Sequence, residues 1–186
     1  MKLGIFFGSF NPVHKGHIKI VNYIIENNIV DKVLIIPTLN YWDKNDLIDL
    51  KYRIDMLKYF ENDKITVLEK FNDLIYTIDL VNALKKEYND TLYLIMGADN
   101  IVSFDKWKNY KELLNYNMII YKRNNIDIKH YLDCLGKKDK YIIIDSVKNI
   151  NISSTKIRKN INNKNELKKY LDERIIDYIN KNNLYS

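Results

Sequence analysis

Two kinds of apolar pattern alternate along the chain. In the first kind, mostly β-branched residues follow one another without polar interruption, as in Val33-Leu34-Ile35-Ile36. Strands that are buried on both faces have this pattern, because neither face meets water. The runs predict six strands, at residues 2–7, 32–37, 64–68, 91–96, 117–121 and 140–145.

In the second pattern, apolar residues recur every three or four positions, which predicts helices with one buried face. Between strands it occurs at Ile18, Val21 and Ile25, at Leu50, Ile54 and Leu57, and at Thr77, Val81, Leu84 and Tyr88. After the last strand it recurs at Leu171, Ile175, Ile176 and Ile179. The alternation of strand and helix predicts an α/β fold, with a Rossmann-like, doubly wound, mostly parallel sheet and a helical C-terminal tail.

The length and composition are typical of one globular domain. With 186 residues, 46% of them hydrophobic, the chain can bury a substantial core, so we expect a single domain over residues 1–186 with a helical C-terminal part from about residue 153. No apolar run approaches the ~20 residues that span a bilayer, and the first residues do not resemble a signal peptide, so we expect a cytoplasmic protein. The single cysteine, Cys134, leaves no internal disulfide or multi-thiolate metal site to form.

The net charge of +6 favours an anionic ligand, such as a nucleotide, a nucleic acid or an acidic membrane. Most of the lysines are scattered through a sequence rich in Asn and Ile, which is typical of a solvated surface. The charge therefore indicates a class of ligand without identifying it.

The segment between the first predicted strand and the helix after it combines glycines with two histidines. Residues 8–17 read Gly-Ser-Phe-Asn-Pro-Val-His-Lys-Gly-His. A helix N-terminus offers unpaired N–H groups and a partial positive charge to a phosphate, but neither Gly-x-Gly-x-x-Gly nor the P-loop pattern is present. His14 and His17 are therefore the candidate phosphate ligands, and Gly16 lets a ligand approach the backbone closely. Ordinary helix-start histidines, or a zinc pair without a third ligand of clear spacing, remain alternatives.

A second candidate anion site follows the last predicted strand, where residues 152–158 read Ile-Ser-Ser-Thr-Lys-Ile-Arg. Ser154 and Thr155 would present hydroxyls and N–H groups at a helix start, and Arg158 lies one turn further on. On its own, the segment is equally compatible with a capped basic helix.

Together the two motifs resemble the nucleotidyltransferase superfamily that has a His-x-Gly-His signature. The middle and the end of the chain are similar, in order, to bacterial nicotinate-nucleotide adenylyltransferases. The matching positions are Tyr76-Thr77-Ile78-Asp79, Gly97-Ala98-Asp99-Asn100, Trp107, Tyr121-Lys122-Arg123, Tyr178-Ile179 and Leu184-Tyr185. The resemblance covers essentially the whole chain.

The resemblance implies that the 5′-phosphate of nicotinate mononucleotide attacks the α-phosphorus of ATP, which releases pyrophosphate and forms deamido-NAD. It implies catalytic roles for His14, His17 and Arg158, and Mg²⁺ carried mainly by the ATP phosphates. The implied ATP-binding residues are Gly8, Ser9, Phe10, Gly16, Gly97, Asp99, Ser154 and Thr155. The implied nicotinate mononucleotide-binding residues are Lys44, Thr77, Trp107 and Arg123. Without the family pattern, Trp107 would be interpreted as an aromatic residue that packs against a helix.

The sequence departs from the family in two places. Asn11 replaces the usual Asp of the opening motif, which keeps turn-forming hydrogen bonds but removes a charge. In the loop after the second strand, the family's Pro-Pro-His has become Tyr41-Trp42-Asp43, although Lys44 keeps its register. This loop flanks the acceptor nucleotide in the family, so the change bears on acceptor recognition.

The alternatives of the same fold are adenylyltransferases that act on nicotinamide mononucleotide or on phosphopantetheine. The phosphopantetheine family usually has Thr at the position of His14 and lacks the Thr77, Asp79 and Trp107 pattern. A basic RNA-binding module is an alternative of another class. His130 and Cys134, four positions apart in a Lys-rich segment, are interpreted as packing or surface residues.

Overall fold

A computed structural model describes residues 1–39, 47–71, 74–147 and 152–185. In these ranges the chain forms one sheet of six parallel strands in the order β3-β2-β1-β4-β5-β6. The strands are β1 (Lys2–Gly8), β2 (Lys32–Pro37), β3 (Ile65–Val67), β4 (Thr91–Gly97), β5 (Asn117–Tyr121) and β6 (Tyr141–Ile144).

Helices connect the strands and form the C-terminal part of the chain. They are α1 (Lys15–Glu26), α2 (Leu50–Lys58), α3 (Thr77–Glu87), α4 (Ala98–Ile101), α5 (Tyr110–Leu113), α6 (Ile128–Cys134), α7 (Ser154–Lys159), α8 (Lys164–Tyr170) and α9 (Glu173–Lys181). A short 3-10 helix, Phe104–Lys106, follows α4. Among the described residues, no helix is long and apolar enough to cross a membrane.

The strands are apolar on both sides because each face of the sheet carries its own core. Along β1, Leu3 and Ile5 belong to one cluster, whereas Phe6 belongs to the other. The Phe6 cluster contains the buried hydrophobic side chains of α1, α2 and α9, and the Leu3 cluster contains those of α3, α4 and α6. The tail helices thus share a core with the helices that follow β1 and β2.

The strand order reverses between β1 and β4, which are neighbours at the centre of the sheet. In open parallel sheets, ligands bind beyond the carboxyl ends of the strands at such a point. In this chain, β1 ends at Gly8 and β4 ends at Gly97. The topology therefore brings the opening histidine motif and the Gly97 segment to one edge.

The predicted fold class is confirmed, and the structure contains all six predicted strands. The third and the sixth are each one residue shorter at both ends than predicted, covering Ile65–Val67 and Tyr141–Ile144. Asn62 forms an isolated bridge with Ile65, the first residue of β3. The segment between Gly97 and Trp107, for which no apolar pattern predicts an element, contains α4 and the 3-10 helix. Short helices of one turn carry too few residues to produce a readable apolar period.

Candidate active site

The two histidines of the opening motif cap the first helix reciprocally. His14 is the N-cap of α1 and has an extended backbone, with φ −141° and ψ 166°. The His17 amide donates to His14 Nδ1 at 3.3 Å, and the His14 amide donates to His17 Nδ1 at 3.2 Å. The geometry is that of a capping box, in which imidazoles replace the usual hydroxyl and carboxylate. The rings stack, with centroids 3.6 Å apart and planes 16° apart.

These hydrogen bonds fix the protonation of both rings. A ring nitrogen that accepts a hydrogen bond carries no proton, so each neutral imidazole holds its proton on Nε2. Burial, and then the charge of Arg123, lower the pKa of His14 from 6.5 to about 3. Burial, then His14 and Arg123, lower the pKa of His17. Both histidines are therefore neutral Nε2–H donors at pH 7.

Aromatic rings support the histidine pair from the side of the sheet. The His17 ring meets Phe10 edge-on at 5.0 Å and Phe6 at 6.0 Å, between ring centroids. Phe10 has a left-handed backbone, with φ 45°, and its ring lies 3.3 Å from where a Cβ of Gly8 would be. A larger residue at Gly8 would press on the ring that backs His17.

The second sequence motif lies directly against the opening loop. Ser153 caps α7 by accepting from the Lys156 amide at 3.2 Å. The Ser154 hydroxyl donates to the Pro12 carbonyl at 2.9 Å, and Arg158 Nη1 donates to the Asn11 carbonyl at 2.9 Å. The two motifs, more than a hundred residues apart in sequence, form one structural unit.

Asn11 connects the loop to the end of the chain. Its side chain is buried, and Oδ1 accepts a hydrogen bond from the Tyr185 hydroxyl at 2.8 Å. The Ile48 amide lies 3.5 Å from the same oxygen. The departure from Asp at this position keeps the acceptor that these donors require.

Arg53 is a buried cation that the sequence analysis missed. Its Nη1 donates to the carbonyls of Ser9 and Thr38, both at 2.8 Å, and its Nε donates to the Ile48 carbonyl at 3.2 Å. Arg53 thereby joins the loop after β1 to the segment after β2. A signal was present, since Arg53 lies on the apolar face that Leu50 and Leu57 define, where a charged residue is unusual.

Gly97, Asp99 and Arg123 form the part of the site beyond β4 and β5. A Cβ on Gly97 would collide with the Asp99 carboxylate and lie 3.2 Å from the Tyr121 ring. Arg123 lies 3.7 Å from Asp99 and donates to the Ile152 carbonyl at 2.9 Å. Burial, and then Asp99, raise the pKa of Tyr121 to about 12. Within the described ranges, the buried Nε of Arg123 has no hydrogen-bond partner.

Thr77 and Trp107 lie on the other face of the sheet, close to one another in the fold. Thr77 is the first residue of α3. The Trp107 ring packs 5.0 Å from Phe104 and 5.9 Å from Phe7, between centroids. Lys108 joins the two segments, because its Nζ lies 3.0 Å from Asp79 and 4.2 Å above the Tyr76 ring. Trp107 as a whole residue is half-buried.

The described residues contain no group of three or more His, Cys, Asp or Glu side chains that could hold a metal ion.

The remaining residues that the sequence singled out lie in several places. His130 and Cys134 lie on α6, where the Cys134 Sγ is 3.8 Å from the His130 Nε2 and the thiol is exposed. Thr155 is exposed beside Ser154 on α7, and Gly16 is buried in the first turn of α1. Lys44 lies outside the described residues, as do Tyr41, Trp42 and Asp43.

Comparison with known proteins gives a consistent result. Residues 5–160 match the model of a family described as cytidylyltransferase-like. A protein of Fusobacterium nucleatum, named "probable nicotinate-nucleotide adenylyltransferase", is 34% identical over 97% of this chain and 98% of its own length. Structures of a Plasmodium falciparum nicotinic acid mononucleotide adenylyltransferase superpose on this chain. The complex with NaAD has a TM-score of 0.84 and 27% identity, and covers 99% of this chain and 97% of its own. The complex with APC has a TM-score of 0.81 and 28% identity, and covers 99% and 96%.

The depressed histidine pKa values predict a pH-dependent loss of stability. Unfolding exposes both rings, whose ordinary pKa is 6.5, so the unfolded chain binds protons that the folded chain does not. The free energy of unfolding should therefore fall between pH 7 and 5.5. His17→Gln keeps an acceptor that suits this capping position, and it should lose about 1 kcal/mol less over that range.

Urea unfolding at pH 7, 6 and 5.5 measures this difference. The matched control is His130→Gln, which changes an exposed histidine on α6 and should follow the wild-type pH dependence. Identical slopes for wild type and His17→Gln would show that His17 is not held neutral.

Proposed function

The chain belongs to the cytidylyltransferase-like family, and within it to the nicotinate-nucleotide adenylyltransferases, and we propose that it transfers the adenylyl group of ATP to nicotinate mononucleotide in NAD biosynthesis. The observation that carries the proposal is the mutually capped histidine pair on the loop that Ser154 and Arg158 also contact. Adenylyl transfer needs donors for phosphate oxygens, and these groups supply them.

The reaction requires no nucleophile from the protein. A 5′-phosphate oxygen of the mononucleotide bonds to the α-phosphorus of ATP, while the bond from that phosphorus to the bridging oxygen breaks. Pyrophosphate leaves, and deamido-NAD remains. The protein's contribution is to align the two phosphates and to stabilise the negative charge on the oxygens around the α-phosphorus.

On the donor side, His14 and His17 donate hydrogen bonds from Nε2–H to the ATP phosphates. The hydrogen bond from His17 also stabilises the transition state. Because both rings are neutral, they act as hydrogen-bond donors, and on this side of the site the positive charge of the protein comes from Arg158. The start of α7, with Ser154 and Thr155, holds the β and γ phosphates. Gly8, Ser9, Phe10 and Gly16 complete the phosphate loop, and Gly97 and Asp99 bind the adenosine, with Asp99 accepting from ribose hydroxyls.

On the acceptor side, the pyridine ring stacks on the accessible part of Trp107, and Thr77 binds the carboxylate at the start of α3. Arg123 binds the 5′-phosphate at the point where it meets the ATP α-phosphate. Its unpartnered buried Nε and its electrostatic effect on both histidines support this role.

The phosphates of bound ATP would carry Mg²⁺, held mainly by phosphate oxygens and water, and the ion would supply positive charge that offsets the phosphate charge. Cationic and neutral donors dominate the described residues around the histidine pair, and Asp99 lies against Arg123. This donor set suits the phosphates of a metal–nucleotide complex. We further propose a single domain, since the helices of the tail share the core of α1 and α2. A cytoplasmic location is proposed as well, as expected for an enzyme of NAD biosynthesis.

An assay of pyrophosphate release tests the proposed substrate directly. The protein is incubated with ATP, Mg²⁺ and, in separate reactions, nicotinate mononucleotide, nicotinamide mononucleotide or phosphopantetheine. We expect release with nicotinate mononucleotide and formation of deamido-NAD. Pyrophosphate release only in the reaction with phosphopantetheine, or in none of the three reactions, would overturn the proposal.

The role of the second histidine predicts a large loss of turnover on substitution. His17→Ala removes an Nε2–H donor to the transition state, and kcat should fall about 100-fold or more. His130→Ala, which removes the exposed histidine of α6, should leave kcat unchanged. Circular dichroism and thermal unfolding of both variants identify any loss that comes from misfolding. A fully active His17→Ala enzyme would contradict the role.

The close approach at Gly97 predicts a defect specific to ATP. In Gly97→Ala the new methyl group displaces the Asp99 carboxylate, so KM for ATP should rise about 10-fold, the scale of one hydrogen bond to a charged group. Gly4→Ala is the matched control in a neighbouring strand, because its Cβ would lie 2.9 Å from Ile95 Cδ1 in the core. It should lower the melting temperature and leave KM for ATP unchanged. Equal KM values for wild type and Gly97→Ala would contradict the assignment of Asp99.

A further inference from the structure

We propose that Tyr185, at the C-terminal end of the chain, is a positioning residue that holds the phosphate-binding loop through Asn11. The inference rests on the proposed function and adds to it a residue that touches no substrate. It gives the end of the chain a part in the site at the start of the chain.

The contact is direct and shielded from water. The Tyr185 hydroxyl donates to Asn11 Oδ1 at 2.8 Å, and Asn11 is only 2% exposed. The ring packs against the same core as α1 and α9. Burial raises the pKa of Tyr185, while the charges of Arg158 and Arg53 lower it.

Asn11 connects Tyr185 to the segment that leads into the histidine pair. The backbone carbonyl of Asn11 accepts a hydrogen bond from Arg158, and that of Pro12 accepts one from Ser154. His14 follows two residues after Pro12 and begins the capping box. The position of Asn11 therefore determines where the chain enters α1 and where both Nε2–H groups point.

Local backbone geometry supports a specific role for the tail. Tyr185 and Asn183 have left-handed backbones, with φ of 65° and 49°, a conformation that non-glycine residues adopt at a cost. Leu184, between them, is buried and its amide donates to the Ile179 carbonyl at 3.0 Å. The turn after α9 thus places the Tyr185 hydroxyl against the loop that contains Asn11.

Tyr185→Phe removes the hydroxyl and keeps the ring, so it tests the hydrogen bond alone. Small displacements of catalytic groups reduce rates strongly, so we expect kcat to fall about 10-fold while KM for ATP changes less than threefold. The matched control is Tyr178→Phe on α9, which removes a hydroxyl that donates to Asp55 at 2.6 Å. It should leave kcat within twofold of wild type.

A double-mutant cycle identifies the partner of the hydroxyl. In an Asn11→Ala background, Tyr185→Phe should lower kcat by less than twofold, because the acceptor is already missing. In an Asn11→Asp background, it should again lower kcat about 10-fold, because a carboxylate oxygen accepts the same bond. Equal effects of Tyr185→Phe in all three backgrounds would overturn the inference.

Amide hydrogen exchange provides a readout that does not depend on turnover. The His14 and His17 amides are held by the capping box, and their exchange in Tyr185→Phe should be at least 10-fold faster than in Tyr178→Phe. Unchanged exchange together with unchanged kcat would overturn the role of Tyr185. A wild-type protein inactive with every acceptor, but with faster exchange in Tyr185→Phe, would overturn the proposed function and leave the inference standing.

Discussion

The reciprocal hydrogen bonds between His14 and His17 are the constraint on which the site depends. The first backbone N–H groups of helix α1 have no carbonyl partner within the helix. The two imidazoles accept hydrogen bonds from two of them. This use of Nδ1 determines which nitrogen of each ring remains to donate. Burial of the pair also keeps both rings uncharged. Helix formation and the chemistry of the site thus rest on one pair of contacts.

The rest of the fold keeps this pair in place from several directions. Arg53 holds the start of the loop at Ser9, and Arg158 and Ser154 hold Asn11 and Pro12. These contacts come from the helix after β2 and from the helix after β6, which lie far apart in the sequence. A loop with few regular hydrogen bonds of its own becomes rigid because distant elements satisfy its carbonyl groups, and rigid donors need less reorganisation during reaction.

The sequence predicted what depends on local pattern, and it missed what depends on long-range contacts. The six strands and the helix at Ile18, Val21 and Ile25 follow from apolar periodicity, and the two histidines follow from their place between strand and helix. The Asn11–Tyr185 contact joins residues 174 positions apart, and the periodicity of apolar residues along the chain cannot predict such a contact. Arg53 interrupts an apolar face, yet only the fold shows which carbonyls it binds. The roles of the residues assigned to ATP and to the acceptor, among them Gly97, Asp99, Thr77, Trp107, Arg123 and Lys44, came from resemblance, and these roles and the catalytic ones stay proposals.

The ¹⁵N chemical shifts of the His14 and His17 imidazoles test the central claim most directly. The account predicts that, from pH 8 to 5.5, each Nδ1 has the shift of an unprotonated nitrogen that accepts a hydrogen bond and each Nε2 has that of a protonated nitrogen. Added ATP should perturb the Nε2 resonances without moving the proton to Nδ1. Titration of either ring near pH 6.5 in the free protein, or a proton on Nδ1, would contradict the account.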